Sequence, residues 1–320
     1  MVNKEMKRGK EQILMTGGAG YIGSVLVGYL LEAGHSVTVV DNLIYRQQSL
    51  LEYCSHEGFE FVYGDCRNEE TMAEVMKGKT MILPLAALVG APLCSMKPMD
   101  AVSVNLDAIK LILKLRSKDQ KVIYPTTNSG YGITSGDLHC TEETPLEPIS
   151  LYGRTKVDAE KALLAEENVI TLRLATVFGM SPRMRTDLLV NDFVQKAVMD
   201  GTLVIFEKHF KRNYIHVRDV SRCFVHCIEN FEKMKNTAYN VGLDDANLSK
   251  EELANAIKKQ VPKLVIVFEE IAQDPDKRNY IVSNKKLYST GFTPEHGLDV
   301  GIAELIKGYG IVRNNQTTNK

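Results

Sequence analysis

Near the start of the chain a short apolar run, Gln12-Ile-Leu-Met-Thr16, breaks into Gly17-Gly18-Ala19-Gly20-Tyr21-Ile22-Gly23. The run reads as a buried strand. From Tyr21 onward Ile22, Val25, Leu26, Tyr29 and Leu30 recur at spacings of three and four, which predicts an amphipathic helix. A strand that turns sharply into a helix exposes unpaired amides and the positive end of the helix dipole, a seat for pyrophosphate. Gly17 permits the tight turn, Gly20 removes a Cβ that would block a phosphate, and Gly23 lets the helix pack on the strand. Glycine-rich turns are common, but this one has the strand–turn–helix context that dinucleotide binding requires.

The second expected strand, Ser36-Val-Thr-Val-Val40, ends at Asp41, 18 residues past Gly23. A carboxylate at that position accepts from the adenosine ribose hydroxyls and repels a 2′-phosphate. Asn42 follows, and no Arg or Lys occurs before Arg46, so NAD is the expected cofactor. Further strands are predicted at Phe59–Tyr63, Met81–Leu85, Lys121–Tyr124 and Val169–Leu174, with helical patterns between them. Such alternation implies an α/β fold with a doubly wound parallel sheet of the Rossmann type, whose ligands lie beyond the carboxyl ends of the strands. After Phe178 the pattern changes. Met180-Ser-Pro-Arg183-Met-Arg185 is irregular, Leu188 to Asp200 reads as a helix, and Ala238 to Gly242 as a strand that rejoins the sheet. Residues 1–178 with about 213–242 therefore form the expected NAD-binding domain, and 179–212 with 243–320 a smaller substrate-binding region. The end, from Val312, is polar and expected to fray.

Composition excludes several other classes. A formal net charge of −1 gives no reason to expect nucleic acid or an anionic membrane as partner. No apolar run approaches the roughly 20 residues that span a bilayer, and the basic N-terminus leads into a strand rather than a signal core. The six cysteines show no C-x-x-C pair and no zinc spacing, so no metal is expected and the cytoplasm is the expected compartment.

The chemistry lies in Tyr152-Gly-Arg-Thr-Lys156. Four residues apart on a helix, the phenol and the ammonium share a face. A phenol is a poor base at neutral pH, but a neighbouring ammonium and a cationic nicotinamide favour the phenolate, which can then take the proton of an alcohol. The hydroxyl-rich turn Tyr124-Pro-Thr126-Thr127-Asn128-Ser129-Gly130-Tyr131-Gly132 at the end of the fifth strand supplies a donor to orient the substrate oxygen.

With these pieces in order, the chain resembles the extended short-chain dehydrogenase/reductase family, in its nucleotide-sugar epimerase/dehydratase branch. The resemblance covers about Gln12 to Lys307 and rests on T-G-G-A-G-Y-I-G-S (16–24), Asp41, G-D (64–65), L-A-A (85–87), Y-G-R-T-K (152–156) and R-N-Y-I-H-V (212–217). It implies Thr127 as the catalytic hydroxyl, Tyr152 as base and Lys156 as the residue that holds ribose and tunes the tyrosine. It implies cofactor contacts from Gly17, Gly20, Tyr21, Ile22, Gly23, Asp41, Asn42, Asp65, Cys66, Leu85, Ala86, Ala87, Asn105, Thr176 and Val177, besides Tyr152 and Lys156. On the substrate side it implies Thr127, Asn128, Ser129, Phe178, Arg185, Asn191, Arg212 and Arg278, with the arginines at 212 and 278 gripping the diphosphate. It also implies a homodimer through a four-helix contact.

Departures from the family pattern are informative. Pro84 and Pro125 replace the histidine and serine common there, and Asn213 replaces an aspartate. The 4,6-dehydratases carry an Asp-Glu pair after the catalytic threonine, where this chain has Asn128 and Ser129. Neither titrates near neutral pH, which disfavours dehydration. What remains is oxidation of a sugar carbon, usually C4, by NAD, followed by release of the keto product or by return of the hydride to the opposite face. The runs at 83–94, 124–132 and 173–193 are most similar to bacterial enzymes oxidising C4 of GDP-linked heptose for surface polysaccharide. A relative that merely bound NAD would typically lack the tyrosine or the lysine, and both are present.

Overall fold

The computed structural model describes residues 10–133, 139–269 and 279–312. Its frame is a seven-stranded sheet formed by β1 (Gln12–Thr16), β2 (Ser36–Asp41), β3 (Phe59–Tyr63), β4 (Met81–Pro84), β5 (Lys121–Thr127), β6 (Val169–Leu174) and β7 (Thr237–Val241). The strand order is β7-β6-β5-β4-β1-β2-β3, and every pairing is parallel. The order reverses at β1, so the notch at the switch point opens beside the glycine turn.

Alternation along the strands divides the core. Ile13, Met15, Val37 and Val39 face one side, where they meet Leu26 and Leu30 of α1 (Gly23–Glu32). Leu14, Val40, Ile82 and Val122 face the other, against Ile109, Ile112, Ala159 and Leu163. The last two belong to α2 (Leu151–Leu164). A further helix, α3 (Val217–Glu229), covers the first side with Val220, Cys223, Phe224 and Cys227, all fully buried. Packed against both the sheet and α3, α1 buries a wide face that includes Val27 and Leu31, beyond the stripe expected from spacing, while Val25 and Tyr29 are only half-buried.

The second region has its own apolar cluster, in which Phe178, Val190, Leu203, Leu253 and Ile257 meet Ile302, Leu305 and Tyr309 of α4 (Leu298–Val312). Three short strands, Thr176–Phe178, Lys211–His216 and Asn247–Ser249, tie this region to the frame. The segment Ala238 to Val241 rejoins the main sheet beside β6, as its pattern predicts. The capping box at Ser249 and Glu252 is also present. The expected fray beyond Val312 and the expected contact from Arg278 lie outside the described residues.

Candidate active site

The turn between β1 and α1 is held open by its glycines. Gly17 has φ +71°, and a Cβ there would lie 2.5 Å from the Ala86 amide nitrogen. A Cβ on Gly23 would lie 2.6 Å from the Gly18 Cα, so these two positions set how closely backbone meets backbone. At Gly20 a Cβ would approach only the Gly17 carbonyl, at 3.1 Å, and would otherwise project into open space. The amides of Tyr21, Ile22 and Gly23 have no partner among the described residues. They form an uncapped helix start ready for an anion.

Asp41 closes one side of this turn. Its carboxylate accepts from the Ala19 amide at 3.0 Å and the Leu43 amide at 2.8 Å. Burial raises its pKa, and those two amides oppose the rise. The carboxylate expected at the ribose thus also shapes the turn. Asn42 donates to Asp65 at 3.3 Å. Asp65 is also gripped by Arg67 through Nε at 2.9 Å and Nη2 at 2.7 Å, which holds its carboxyl down at about 2. Arg67 carries no family motif, and pattern reading misses it. Cys66 is buried, and burial lifts its thiol to about 12. Leu85 and Ala86 return to the turn through the Leu85 amide, which donates to the Thr16 carbonyl at 2.9 Å, and the Ala86 amide, which reaches the Thr16 hydroxyl at 3.4 Å.

The second wall is the end of β5 with the start of α2. Thr127 accepts from the Ser129 amide at 3.1 Å and pairs with the Ser129 hydroxyl at 2.9 Å, folding the chain into a tight turn. Asn128 is fully buried, and neither its amide nitrogen nor its oxygen has a hydrogen-bond partner among the described residues. Ser150 caps α2 by accepting from the Gly153 amide at 3.1 Å. A Cβ on Gly153 would sit 2.9 Å from Pro148 and 3.4 Å from the Ser129 carbonyl, so α2 approaches the Thr127 turn closely where it carries Tyr152. One turn later the Lys156 ammonium lies 3.9 Å from the centre of the Tyr124 ring. Complete burial pulls that ammonium down to about 7, partly opposed by the Glu160 carboxylate. Glu160 is itself paired with Arg173 at 2.7 Å, deep between β6 and α2.

Asn105 fastens this wall from the side. Its oxygen accepts from the Leu88 amide at 2.8 Å, and its nitrogen donates to the Leu88 carbonyl at 3.0 Å and the Thr155 hydroxyl at 3.3 Å. It sits in a π-helical turn, Ser103–Asp107, inside an otherwise α-helical stretch. Such turns bulge a helix to re-aim a side chain.

The expected substrate residues separate into two groups. Arg185 is paired with Asp187, and its charge is within electrostatic reach of both Tyr152 and Tyr21. Arg212 is 3% exposed, with its guanidinium 5.7 Å from the Tyr280 ring. Asn191, by contrast, spends its amide on structure, accepting from the Gly179 amide at 3.1 Å and donating to the Arg185 carbonyl at 2.9 Å and the Tyr21 hydroxyl at 3.2 Å. Phe178 is wholly buried edge-on to His216, with ring centres 5.3 Å apart. Those contacts build the second core. Thr176 and Val177 lead into the same strand, paired with Tyr214 and Ile215.

Residues 13–242 match the model of the NAD dependent epimerase/dehydratase family. The chain belongs to that family. Similarity to curated relatives extends over nearly the full length. The low-salt glycan biosynthesis protein Agl12 of Haloferax volcanii is 27% identical across 93% of this chain and 98% of its own. A putative UDP-glucose 4-epimerase of Methanocaldococcus jannaschii is 23% identical across 96% and 100%. Among solved structures, the UDP-glucose 4-epimerase of Thermotoga maritima has a TM-score of 0.82 at 24% identity, covering 95% of this chain and all of that one. The protein is thus an NAD-dependent enzyme of the epimerase/dehydratase type with a Rossmann-like fold. Its own residues fit the cofactor. The three unpartnered amides and the open face of Gly20 suit a pyrophosphate, and the Asp41 carboxylate beside the turn has the acceptor oxygens that ribose hydroxyls need. No helix among the described residues is long and apolar enough to cross a membrane.

Proposed function

We propose that the protein oxidises C4 of a nucleotide-linked sugar and releases the 4-keto product. The observation that carries this reading is the close approach of the Tyr152–Lys156 helix to the Thr127 turn, with an amide and a hydroxyl following Thr127 in place of carboxylates. Bound NAD supplies the acceptor for the hydrogen lost from carbon. Tyr152 takes the hydroxyl proton, Thr127 orients the substrate oxygen, and the Lys156 ammonium favours the phenolate on the same helix face. Gly17, Gly20, Tyr21, Ile22, Gly23 and Asp41 hold the cofactor, and Arg185 and Arg212 are the described cations suited to the sugar's diphosphate. Asn128 and Ser129 have no group that exchanges a proton near neutral pH, so elimination of water lacks its acid and base.

The named relatives favour a second reading, 4-epimerisation, in which the keto sugar turns over in the site and is reduced on its other face. Both readings share the first step. NMR of GDP-, UDP- and dTDP-sugars, GDP-heptose among them, incubated with the enzyme in deuterated water separates them. A keto product with loss of the C4 proton marks dehydrogenation, and inversion at C4 with that proton retained marks epimerisation. A 6-deoxy product carrying solvent deuterium would sink both. Tyr152→Phe is expected to lower turnover by about 10²- to 10⁴-fold, and unchanged turnover would remove the tyrosine from the mechanism.

A further inference from the structure

The segment that follows Phe178 does not simply lead away into the second region. It is stitched to the start of α1. The Tyr21 hydroxyl donates to the Gly179 carbonyl at 2.7 Å, and the Ser181 hydroxyl donates to the Tyr21 carbonyl at 2.7 Å. Since Ser181 has given its only proton there, the Ser24 hydroxyl is the donor in the 3.0 Å contact between the two serines. Both serines are buried. These bonds run 157 to 160 residues along the chain, so they fix the segment's position rather than shape a local turn.

Two residues on, Arg183 extends from this anchor to the turn that follows β2. Its guanidinium carbon stands 4.4 Å from the centre of the Tyr45 ring. Tyr45 is 51% exposed, in the turn after β2 where Leu43 and Arg46 take φ +49° and +53°. Arg183 lies near enough to Asp41 for each charge to act on the other. Its backbone amide donates to the Ser181 hydroxyl at 3.3 Å and its Nη1 to the Met184 carbonyl at 3.0 Å, and among the described residues it makes no ion pair. Arg185 beside it has Asp187 as partner. A half-buried guanidinium on an aromatic face, in no ion pair among the described residues, is tied through Ser181 to the turn that carries the unpartnered amides of Tyr21, Ile22 and Gly23. That arrangement has the charge and donors of an anion site completed from two distant parts of the chain.

We propose that Gly179–Arg183 is a strap across the cofactor notch and that Arg183, seated on Tyr45, binds the diphosphate of the dinucleotide and slows its release. The proposal rests on NAD occupying the glycine turn, and not on which sugar is oxidised. A retained cofactor is what in-place reuse of the reduced form requires, so the strap bears on how NADH is recycled.

The test is release of NADH from the loaded, sugar-free enzyme, followed by the change in nicotinamide fluorescence after mixing with excess NAD. Arg183→Ala is expected to speed release by about 10- to 100-fold, the loss of one charge-assisted contact. Arg183→Lys should recover part of that, and Tyr45→Ala should speed release by a smaller factor. ADP, which carries the diphosphate without nicotinamide, should lose affinity for Arg183→Ala by a similar factor. Release within twofold of the parent protein overturns the strap. So does an effect confined to the KM of the nucleotide sugar, which would assign Arg183 to substrate. Release is read without sugar, so its outcome stands apart from whether Tyr152→Phe abolishes oxidation.

Discussion

Lys156 is the residue at which folding and chemistry conflict most sharply. Its ammonium is enclosed and faces an aromatic ring, with Glu160, already committed to Arg173, as its opposing carboxylate. Burial lowers its pKa from 10.5 to about 7, so between those values the unfolded chain binds a proton that the folded chain does not. Stability then rises with pH across that window, and the full cost of burying the charge is felt below pH 7. Lys156→Met is therefore expected to raise the stability of the cofactor-free protein by about 1–4 kcal/mol at pH 6, with the gain shrinking towards pH 10, while turnover is lost. Urea unfolding of both proteins at several pH values checks this. A gain that does not fall with pH would show that packing, not charge, is responsible. Tyr152 and Lys156 were legible in the sequence because their spacing works within one helix. Arg67, Arg183 and Glu160 were not, since each acts on a partner that only the tertiary fold brings near.

At the scale of elements, the glycine turn shows why a short motif could be read so far. Gly23 answers a demand set within the turn itself, by Gly18, and apolar spacing announces the strand and the helix on either side. The backbone at Gly23 leaves no room for a methyl group, whereas Gly310 in α4 has nothing within 4 Å of a Cβ. Gly23→Ala must push the turn away from Gly18, and is expected to cost about 1–3 kcal/mol of stability and at least about tenfold in NAD affinity. Gly310→Ala should be neutral or stabilising by about 0.5–1 kcal/mol. Titration with NAD and thermal unfolding of the pair test this, and equal effects at the two sites would refute it. The stretch from Ala101 to Arg116 was less legible. Its pattern reads as one helix, yet a π-helical turn, Ser103–Asp107, interrupts it so that Asn105 can reach Leu88 and Thr155. The demand for that bulge comes from α2, which no local pattern encodes.

The whole molecule depends on the chain's last described helix returning to its middle. In α4, Gly301 and Gly308 let the helix lie against Phe178 and Met180, where a Cβ would come within 2.2 Å and 2.3 Å of the neighbouring side chain. Glu304 on the same helix reaches the fully buried His216 at 2.7 Å and Arg218 at 3.1 Å. The His216 Nδ1 accepts from the Arg218 amide at 3.2 Å, which leaves Nε2 to carry the proton that Glu304 receives. Burial acts to raise the Glu304 pKa, but His216 and Arg218 outweigh it and the net shift is downward from 4.5. A depressed carboxylate contributes stability that is present above its unfolded pKa and lost as pH falls through the folded one. Glu304→Ala is thus expected to lower the unfolding free energy by about 1–3 kcal/mol at pH 7, with the m-value unchanged because the buried surface is the same. The difference from the parent protein should begin to narrow as the pH falls below 4.5 and should go on narrowing until the folded carboxylate takes up its proton. A deficit that stays undiminished however far the pH is lowered would mean that the helix is held by its glycine contacts alone and that the hydrogen bond from His216 and the ion pair with Arg218 add nothing.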